Sequence, residues 1–276
     1  MKVTKMSHRT NCHKAKRKRH ILAISGGKDS AALAVYMRKN HPELELEYVF
    51  TDSGCELPET YEYLDRIRAV LGIDITVIKP ERDFDYWLKY YNGVLPSPQN
   101  RWCTRQLKLR PYEAYIGDDL TYSYIAIRAD EDRGGYQNTK GNIIPRYPFV
   151  DGGMTLQDVV RILNESGLGL PDYYKWRSRS GCYFCFFQSN DEWRGLRKYH
   201  PDAFEKACWY EENHSDGRTY TWRGKRQDMH LHLRDIEGDP PDLNLDSFWE
   251  KEDDNRLVNV LGDIDFGGID ITNILR

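Results

Sequence analysis

Six consecutive residues carry the clearest chemical signal in the chain. Ile21–Ile24 is apolar and β-prone, a helical stretch runs from Ser30 to Asn40, and between them stand Ser25, Gly26, Gly27, Lys28, Asp29 and Ser30. The first backbone N–H groups of a helix have no intrahelical partner, and the helix dipole favours negative charge there. Gly26 and Gly27 permit positive φ and close backbone approach. Ser25 and Ser30 add hydroxyl donors, and Lys28 adds a charge. Each charge-assisted hydrogen bond to a phosphate contributes about 1.5–3 kcal/mol. The spacing is neither G-x-x-x-x-G-K-[ST] nor G-x-G-x-x-G. The alternative is an ordinary tight strand–helix turn, but Lys28 and Asp29 would gain little there from packing alone.

A second signal is Cys182-Tyr183-Phe184-Cys185. Paired thiols at this spacing suit zinc, an iron–sulfur cluster or a redox dithiol. Six cysteines at irregular spacing do not make a secreted disulfide framework. Asp52 falls at the carboxyl end of a second strand, where open α/β sheets bind ligands. It fits a nucleotide or Mg2+ contact, and it equally fits a turn-forming role before Ser53-Gly54.

With Ser25–Ser30, four further stretches occur in order: TDSGCELPET at 51–60, RWCTRQLKLRP at 101–111, IRADEDR at 127–133 and RSGCYFC at 179–185. Together they resemble the phosphoadenylylsulfate-reductase-like branch of the ATP pyrophosphatase (PP-loop) superfamily, over roughly residues 20–210. Within it, the nearest resemblance is to the ATP pyrophosphatase component of DNA phosphorothioation systems. The resemblance implies that Ser25, Gly26, Gly27, Lys28, Asp29 and Ser30 hold the pyrophosphate of ATP, with Asp52 at the nucleotide or Mg2+. An acceptor oxygen then attacks the α-phosphorus and pyrophosphate leaves. Lys28, Asp29, Arg128 and Arg133 are the expected catalytic set, with Lys108 as a helper. Arg128 and Arg133 have an alternative as ion-pair partners of Asp130, Glu131 and Asp132.

The same branch contains members with a four-cysteine [4Fe–4S] cluster, which makes Cys103, Cys182, Cys185 and Cys208 the expected ligands. Zinc, using His200 or His214, stays open. Cys208 follows Phe204 by four residues, so both could instead share the buried face of one helix. Cys12 and Cys55 read as free thiols, with a sulfur-relay role open for Cys55.

The elements that must position these groups alternate. Strands are expected at 20–24, 45–51, 74–78 and 122–127. Helices are expected from Ser30 to Asn40, from Pro58 to a stop at Gly72, from near Trp102, and over 156–166 behind a Thr155/Asp158 capping box. Strand–helix–strand alternation with short links predicts an α/β fold, an open, mainly parallel twisted sheet with helices on both faces. The resemblance adds that the sheet is Rossmann-like, of the adenine nucleotide alpha-hydrolase type. After about Leu170 the chain becomes aromatic and basic with short helices. The expected organisation is a basic arm at 1–19, an ATP-binding domain at 20–170, and a smaller, mainly helical C-terminal lobe with an acidic tail at 171–276.

The net charge is −3, but it is unevenly spread. Residues 1–20 hold Lys2, Lys5, Arg9, Lys14, Lys16, Arg17, Lys18 and Arg19 and no acid. Such an arm is either a solvated terminus or a contact to nucleic-acid phosphates. No apolar run approaches the roughly 18 residues of a membrane span, and no signal-peptide core precedes the first strand, so a cytoplasmic location is expected.

The expected activity is that of a PP-loop ATP pyrophosphatase and sulfurtransferase. It would adenylylate an oxygen of DNA so that sulfur from a cysteine desulfurase replaces it. RNA is the less favoured acceptor, and other modification-operon proteins are expected partners. Alternatives are a tRNA-thiolating enzyme, an adenylyl- or phosphoadenylyl-sulfate reductase, and a non-enzymatic nucleotide-binding partner protein. The reductase needs a nucleophilic cysteine, which the family places in a C-terminal tail, yet no cysteine follows Cys208.

Overall fold

The computed structural model describes residues 18–132, 134–135, 140–213, 220–225 and 232–241. Most of the basic arm, Arg133, His214 and the acidic tail lie outside the described residues.

Five strands form one all-parallel sheet in the order β3-β2-β1-β4-β5. They are β1 (Lys18–Ile24), β2 (Leu46–Thr51), β3 (Ile75–Ile78), β4 (Leu120–Tyr124) and β5 (Ile143–Arg146). The period-2 alternation of β1 feeds two cores. Leu22 and Ile24 pack with α1 (Lys28–Asn40), α2 (Pro58–Leu71) and α7 (Leu156–Glu165). Ile21 and Val49 pack on the opposite face with Tyr112 and Ile116. Those two residues belong to α5 (Arg110–Ile116), which follows α4 (Trp102–Thr104) through a π-helical stretch, Arg105–Leu109.

Local signals place the helix ends. Pro58 opens α2, and Gly72, at φ 58°, closes it. The Thr155/Asp158 capping box opens α7, whose Leu156, Val159 and Leu163 are buried. Several elements lie outside the sequence reading, α3 (Phe84–Tyr90) and β5 among them. α3 is capped by Asp83, whose carboxylate accepts from the Tyr86 N–H at 2.8 Å. β5 contains Pro145, which a sheet tolerates at an edge strand because no donor is lost from the interior ladder. Lys18 and Arg19, read as part of the basic arm, are strand residues. Arg19 forms a two-pronged bond to Glu47 at 2.8 and 2.6 Å.

A short α6 (Pro148–Asp151) follows β5, its Phe149 in the core with α1 and α7; the C-terminal part is mainly helical, with a 3-10 turn (Asp172–Lys175), α8 (Asn190–Tyr199), α9 (Pro201–Glu212) and a small hairpin β6–β7 (Tyr220–Thr221, Gly224–Lys225). Its core is aromatic and continuous with the first half of the chain. Phe84, Trp102 and Leu57 pack into the same cluster as Trp176, Phe184 and Trp193. Among the described residues no helix is long and apolar enough to cross a membrane.

Candidate functional site

β1 lies between β2 and β4, so the chain runs to opposite sides of it: β2 and β3 one way, β4 and β5 the other. In open α/β sheets this switch point leaves a crevice at the carboxyl ends of the strands. Ser25–Ser30 emerges there. Gly27 caps α1 in extended geometry and offers no side-chain cap, and the Lys28 N–H reaches the Tyr174 hydroxyl at 3.5 Å. Gly26 has φ 73°, and a Cβ on it would stand 2.5 Å from Thr60 Cγ2, so α2 closes over the loop. The hydroxyl of Ser30 binds the Ser25 N–H at 3.0 Å and the Gly27 carbonyl at 3.1 Å. Tyr173 donates to the Gly26 carbonyl at 2.7 Å, so the C-terminal part helps shape the loop.

Lys28 is almost fully buried, 3.4 Å from Asp29 and 5.5 Å above the Tyr174 ring centre. Asp29 also accepts from Arg128 at 3.0 Å. Burial disfavours the Asp29 carboxylate, but Lys28 and Arg128 outweigh it and hold its pKa below the ordinary aspartate value. Arg128 meets Asp130 at 2.9 Å and Glu131 at 3.1 Å as well. The ion-pair alternative for Arg128 is therefore realised, while the same guanidinium is tied to the phosphate loop through Asp29. Asp52 likewise takes its turn-forming role. It accepts from the Gly54 N–H and the Tyr61 hydroxyl, each at 2.8 Å, with Lys79 at 3.6 Å.

The cysteines divide. Cys182 lies 3.4 Å from the Ser53 hydroxyl, which donates to Glu56 at 2.9 Å. Lys108, expected near the pyrophosphate, instead meets Glu56 at 3.2 Å and is acted on by Cys182 and Cys185. Burial, then Glu56, pushes the Cys182 thiol up to about 12. Cys55 is raised by burial and by Cys182, and Cys103 by burial and by Cys185. Cys55, Cys182, Cys185 and Cys103 thus form a chain of thiols, each within electrostatic reach of the next. Cys208 is fully buried on α9, and the charged groups acting most on it are Arg234, Glu205, Glu211 and Glu212, with no cysteine among them. His200 is engaged elsewhere, 2.8 Å from Glu59. Of the four expected ligands, Cys103 and Cys182 each feel the charge of Cys185. Cys55, read as a free thiol, instead stands close enough to Cys182 to feel its charge, and the mark that could have found it is its position within the 51–60 motif. In this conformation no three His, Cys, Asp or Glu side chains among the described residues are arranged to hold one ion. The thiols match a soft metal or cluster in donor type; their present spacing does not close a site.

The phosphate loop and the Cys182 segment touch. Ser180 donates to Ser25 Oγ at 3.2 Å, and a Cβ on Gly27 would stand 2.7 Å from Ser180 Oγ. Arg177 is fully buried and fixes the segment by donating to the carbonyls of Gly181 (3.0 Å) and Cys182 (2.8 Å). Tyr173 carried no sequence signal and Ser180 was marked only as a member of the 179–185 motif, because their contacts to the loop cross about 150 residues of chain.

The domain is thus an all-parallel α/β sheet with the Ser25–Ser30 loop at its switch point. In comparison with known proteins, residues 19–141 match the family model described as phosphoadenosine phosphosulfate reductase domain. The chain is 26% identical over 242 residues to an uncharacterized protein of Methanocaldococcus jannaschii, covering 79% of this chain and 48% of that one. It is 22% identical over 259 residues to the tRNA-specific 2-thiouridylase of Idiomarina loihiensis, covering 81% of this chain and 68% of that one. Among solved structures, a U34-tRNA thiolase of Methanococcus maripaludis with its [4Fe–4S] cluster covers 71% of each chain, with a TM-score of 0.41 and 15% identity. The chain spans about half the length of the first of these relatives.

Proposed function

We propose that this protein is a PP-loop ATP pyrophosphatase that activates an oxygen of a nucleic acid for replacement by sulfur, with the DNA backbone as the acceptor. The observation that carries the reading is the contact between Ser180 and Ser25, which sets the phosphate loop against the segment bearing Cys182. Activation and sulfur delivery need such adjacency, because an adenylylated acceptor must meet sulfur before water.

In this reading the N–H groups at the start of α1, with Ser25 and Ser30, bind the leaving pyrophosphate. Lys28 and Arg128, held by Asp29, supply positive potential where charge develops. The acceptor oxygen bonds to the α-phosphorus of ATP as the bond to pyrophosphate breaks, and Mg2+ would shield the phosphates. The terminal sulfur of a cysteine desulfurase persulfide then displaces AMP, which leaves with the acceptor oxygen. A second thiol cleaves the S–S bond and ends as a disulfide. Cys103, Cys182, Cys185 and Cys55 are the residues that would hold a [4Fe–4S] cluster, or zinc in its place; such a group, when bound, would supply a site for sulfur.

A second reading is thiolation of a tRNA base, favoured by the similarity to the 2-thiouridylase. Release of pyrophosphate from ATP tests the shared step. It should fall at least tenfold in both Lys28→Ala and Ser25→Ala, and equal release by both variants and wild type would sink the reading. Mass spectrometry of nuclease-digested DNA and RNA, from cells with and without the protein, separates the acceptors.

A further inference from the structure

Arginines of this protein commonly end on an acid. Arg19 meets Glu47, Arg68 meets Asp65, Arg128 meets Asp29 and Arg234 meets Glu205. Others end on carbonyls, as Arg38, Arg177 and Arg197 do, or over rings, as Arg110 and Arg146 do. Arg101, Arg105 and Arg179 are set apart by lacking an ion pair among the described residues while standing together. They are also neighbours. Arg101 and Arg179 stand over the same Phe187 ring, 5.4 and 4.8 Å from its centre. Arg105 lies one turn beyond Arg101, its N–H on the Arg101 carbonyl at 3.3 Å. Cys103 lies between those two in sequence, and Arg179 reaches Cys185 Sγ at 3.3 Å. Arg101 and Arg105 are exposed.

Like charges grouped with no ion-pair contact repel one another; the acid whose charge acts on Arg179, Glu192, is itself engaged by Ser178 and Ser189. An anion spanning the group would relieve the repulsion. Guanidinium is weakly hydrated, planar and suited to two-pronged phosphate bonds. A helical turn separates Arg101 from Arg105 by about 5.4 Å along the axis, a span for successive groups on one ligand rather than for one small ion. The aromatic and guanidinium planes also favour unpaired bases, which stack on such surfaces while the cations track the backbone.

We propose that Arg101, Arg105 and Arg179, arranged around Phe187, grip the phosphate backbone of a single nucleic-acid strand at the cysteine end of the site. The inference rests on the proposed nucleic-acid reading and names how that substrate is held. It also narrows which arginine of the aromatic, basic stretch after Leu170 can meet a strand. Trp176 and Arg177 are buried, so Arg179 is the one arginine of 176–179 left to meet a strand.

Fluorescence anisotropy of the full chain tests it, using labelled oligo-dT and oligo-U of about 20 nucleotides, long enough to span the site. Salt is varied between about 50 and 200 mM. The Arg101→Ala/Arg105→Ala variant should bind at least tenfold more weakly. Its plot of log affinity against log salt should flatten by about 1.4, at roughly 0.7 per lost phosphate contact on a single strand. The tighter of the two oligonucleotides identifies DNA or RNA. Pyrophosphate release from ATP without nucleic acid should stay at the wild-type rate in this variant, so failure of the ATP chemistry and failure of strand binding are read separately. The proposal is overturned by unchanged affinity and slope in the variant, or by wild type binding neither strand at the lowest salt. Equal binding of a duplex, or of a poly-glutamate peptide, overturns it too.

Discussion

Asp29 is the residue on which the phosphate loop turns, because it joins Lys28 and Arg128 through one carboxylate. Its pKa is depressed, so its ionised form stabilises the fold above the unfolded aspartate value, about 3.9. That contribution is lost as pH falls through the lower folded value. Asp29→Asn should therefore destabilise the protein near neutrality by on the order of 2 kcal/mol, below the ~3–5 of a fully buried pair because Asp29 keeps some exposure. The gap between variant and wild type should close as pH drops below about 4. Thermal melts across pH check this, and a gap that does not shrink in acid would refute the assignment. Gly26 gives a second residue-scale test. Ala there meets left-handed strain of about 1–2 kcal/mol and the Thr60 methyl. Gly26→Ala should lower stability and pyrophosphate release together. Adding Thr60→Ser, which removes that methyl, should restore part of the stability but not all. The loop was legible in the sequence because its chemistry is local: glycine freedom, hydroxyls and a helix start lie within six residues. Asp52 was harder, since the same residue type serves a ligand or a turn. The donors that decide it, Gly54 N–H and Tyr61 OH, become visible only in three dimensions.

At the scale of elements, the join between the 3-10 turn and α8 sets the Cys182 segment. Glu192, in the first turn of α8, is buried and accepts from the Ser178 N–H (2.8 Å), the Ser178 hydroxyl (2.7 Å) and the Ser189 N–H (2.7 Å). Burial works against its charge, but Arg177 and the Ser178 bonds prevail and lower its pKa. Arg177 in turn holds the Gly181 and Cys182 carbonyls. Glu192→Ala leaves buried donors without acceptors, at about 1–3 kcal/mol each, and removes the negative partner of Arg177. The variant should lose about 3 kcal/mol of stability, and alkylation of Cys182 and Cys185 should speed up several-fold when read by peptide mass spectrometry. An alkylation rate equal to wild type would show that α8 does not position the thiols. The Ser189/Glu192 capping box is a sequence-level mark. Its reach to Ser178 is not, because that bond needs the turn at residues 178–188 to double back. Likewise α1, α2 and α7 follow from apolar spacing and caps, whereas β5 is short, carries Pro145 and gains its strand character only by pairing with β4.

For the whole molecule, the question is whether the two ends of the site act as one. The parallel order of the first strands was readable from alternation, since short crossovers leave few topologies. The seating of the C-terminal part on the loop was not, because it rests on single contacts between distant residues: Tyr173 with Gly26, Ser180 with Ser25, and the Tyr183 N–H with the Cys55 carbonyl at 2.9 Å. The same distance effect explains why Cys208, nearer in sequence to the Cys182–Cys185 pair, was favoured over Cys55. These contacts carry a consequence. An anion entering the loop meets Ser25, whose hydroxyl is bound by Ser180, two residues before Cys182. Binding must either displace Ser180 or recruit it, and the carbonyl clamp of Arg177 transmits either change to the thiol. Saturating pyrophosphate should therefore alter the alkylation rate of Cys182 several-fold in wild type, while Cys208, on α9, keeps its rate. In Ser180→Ala the loop still has its N–H donors, so pyrophosphate should bind with little loss, yet its effect on Cys182 should shrink toward none. If pyrophosphate leaves Cys182 unchanged in wild type, the phosphate and sulfur ends are neighbours without communication, and their contact serves packing alone.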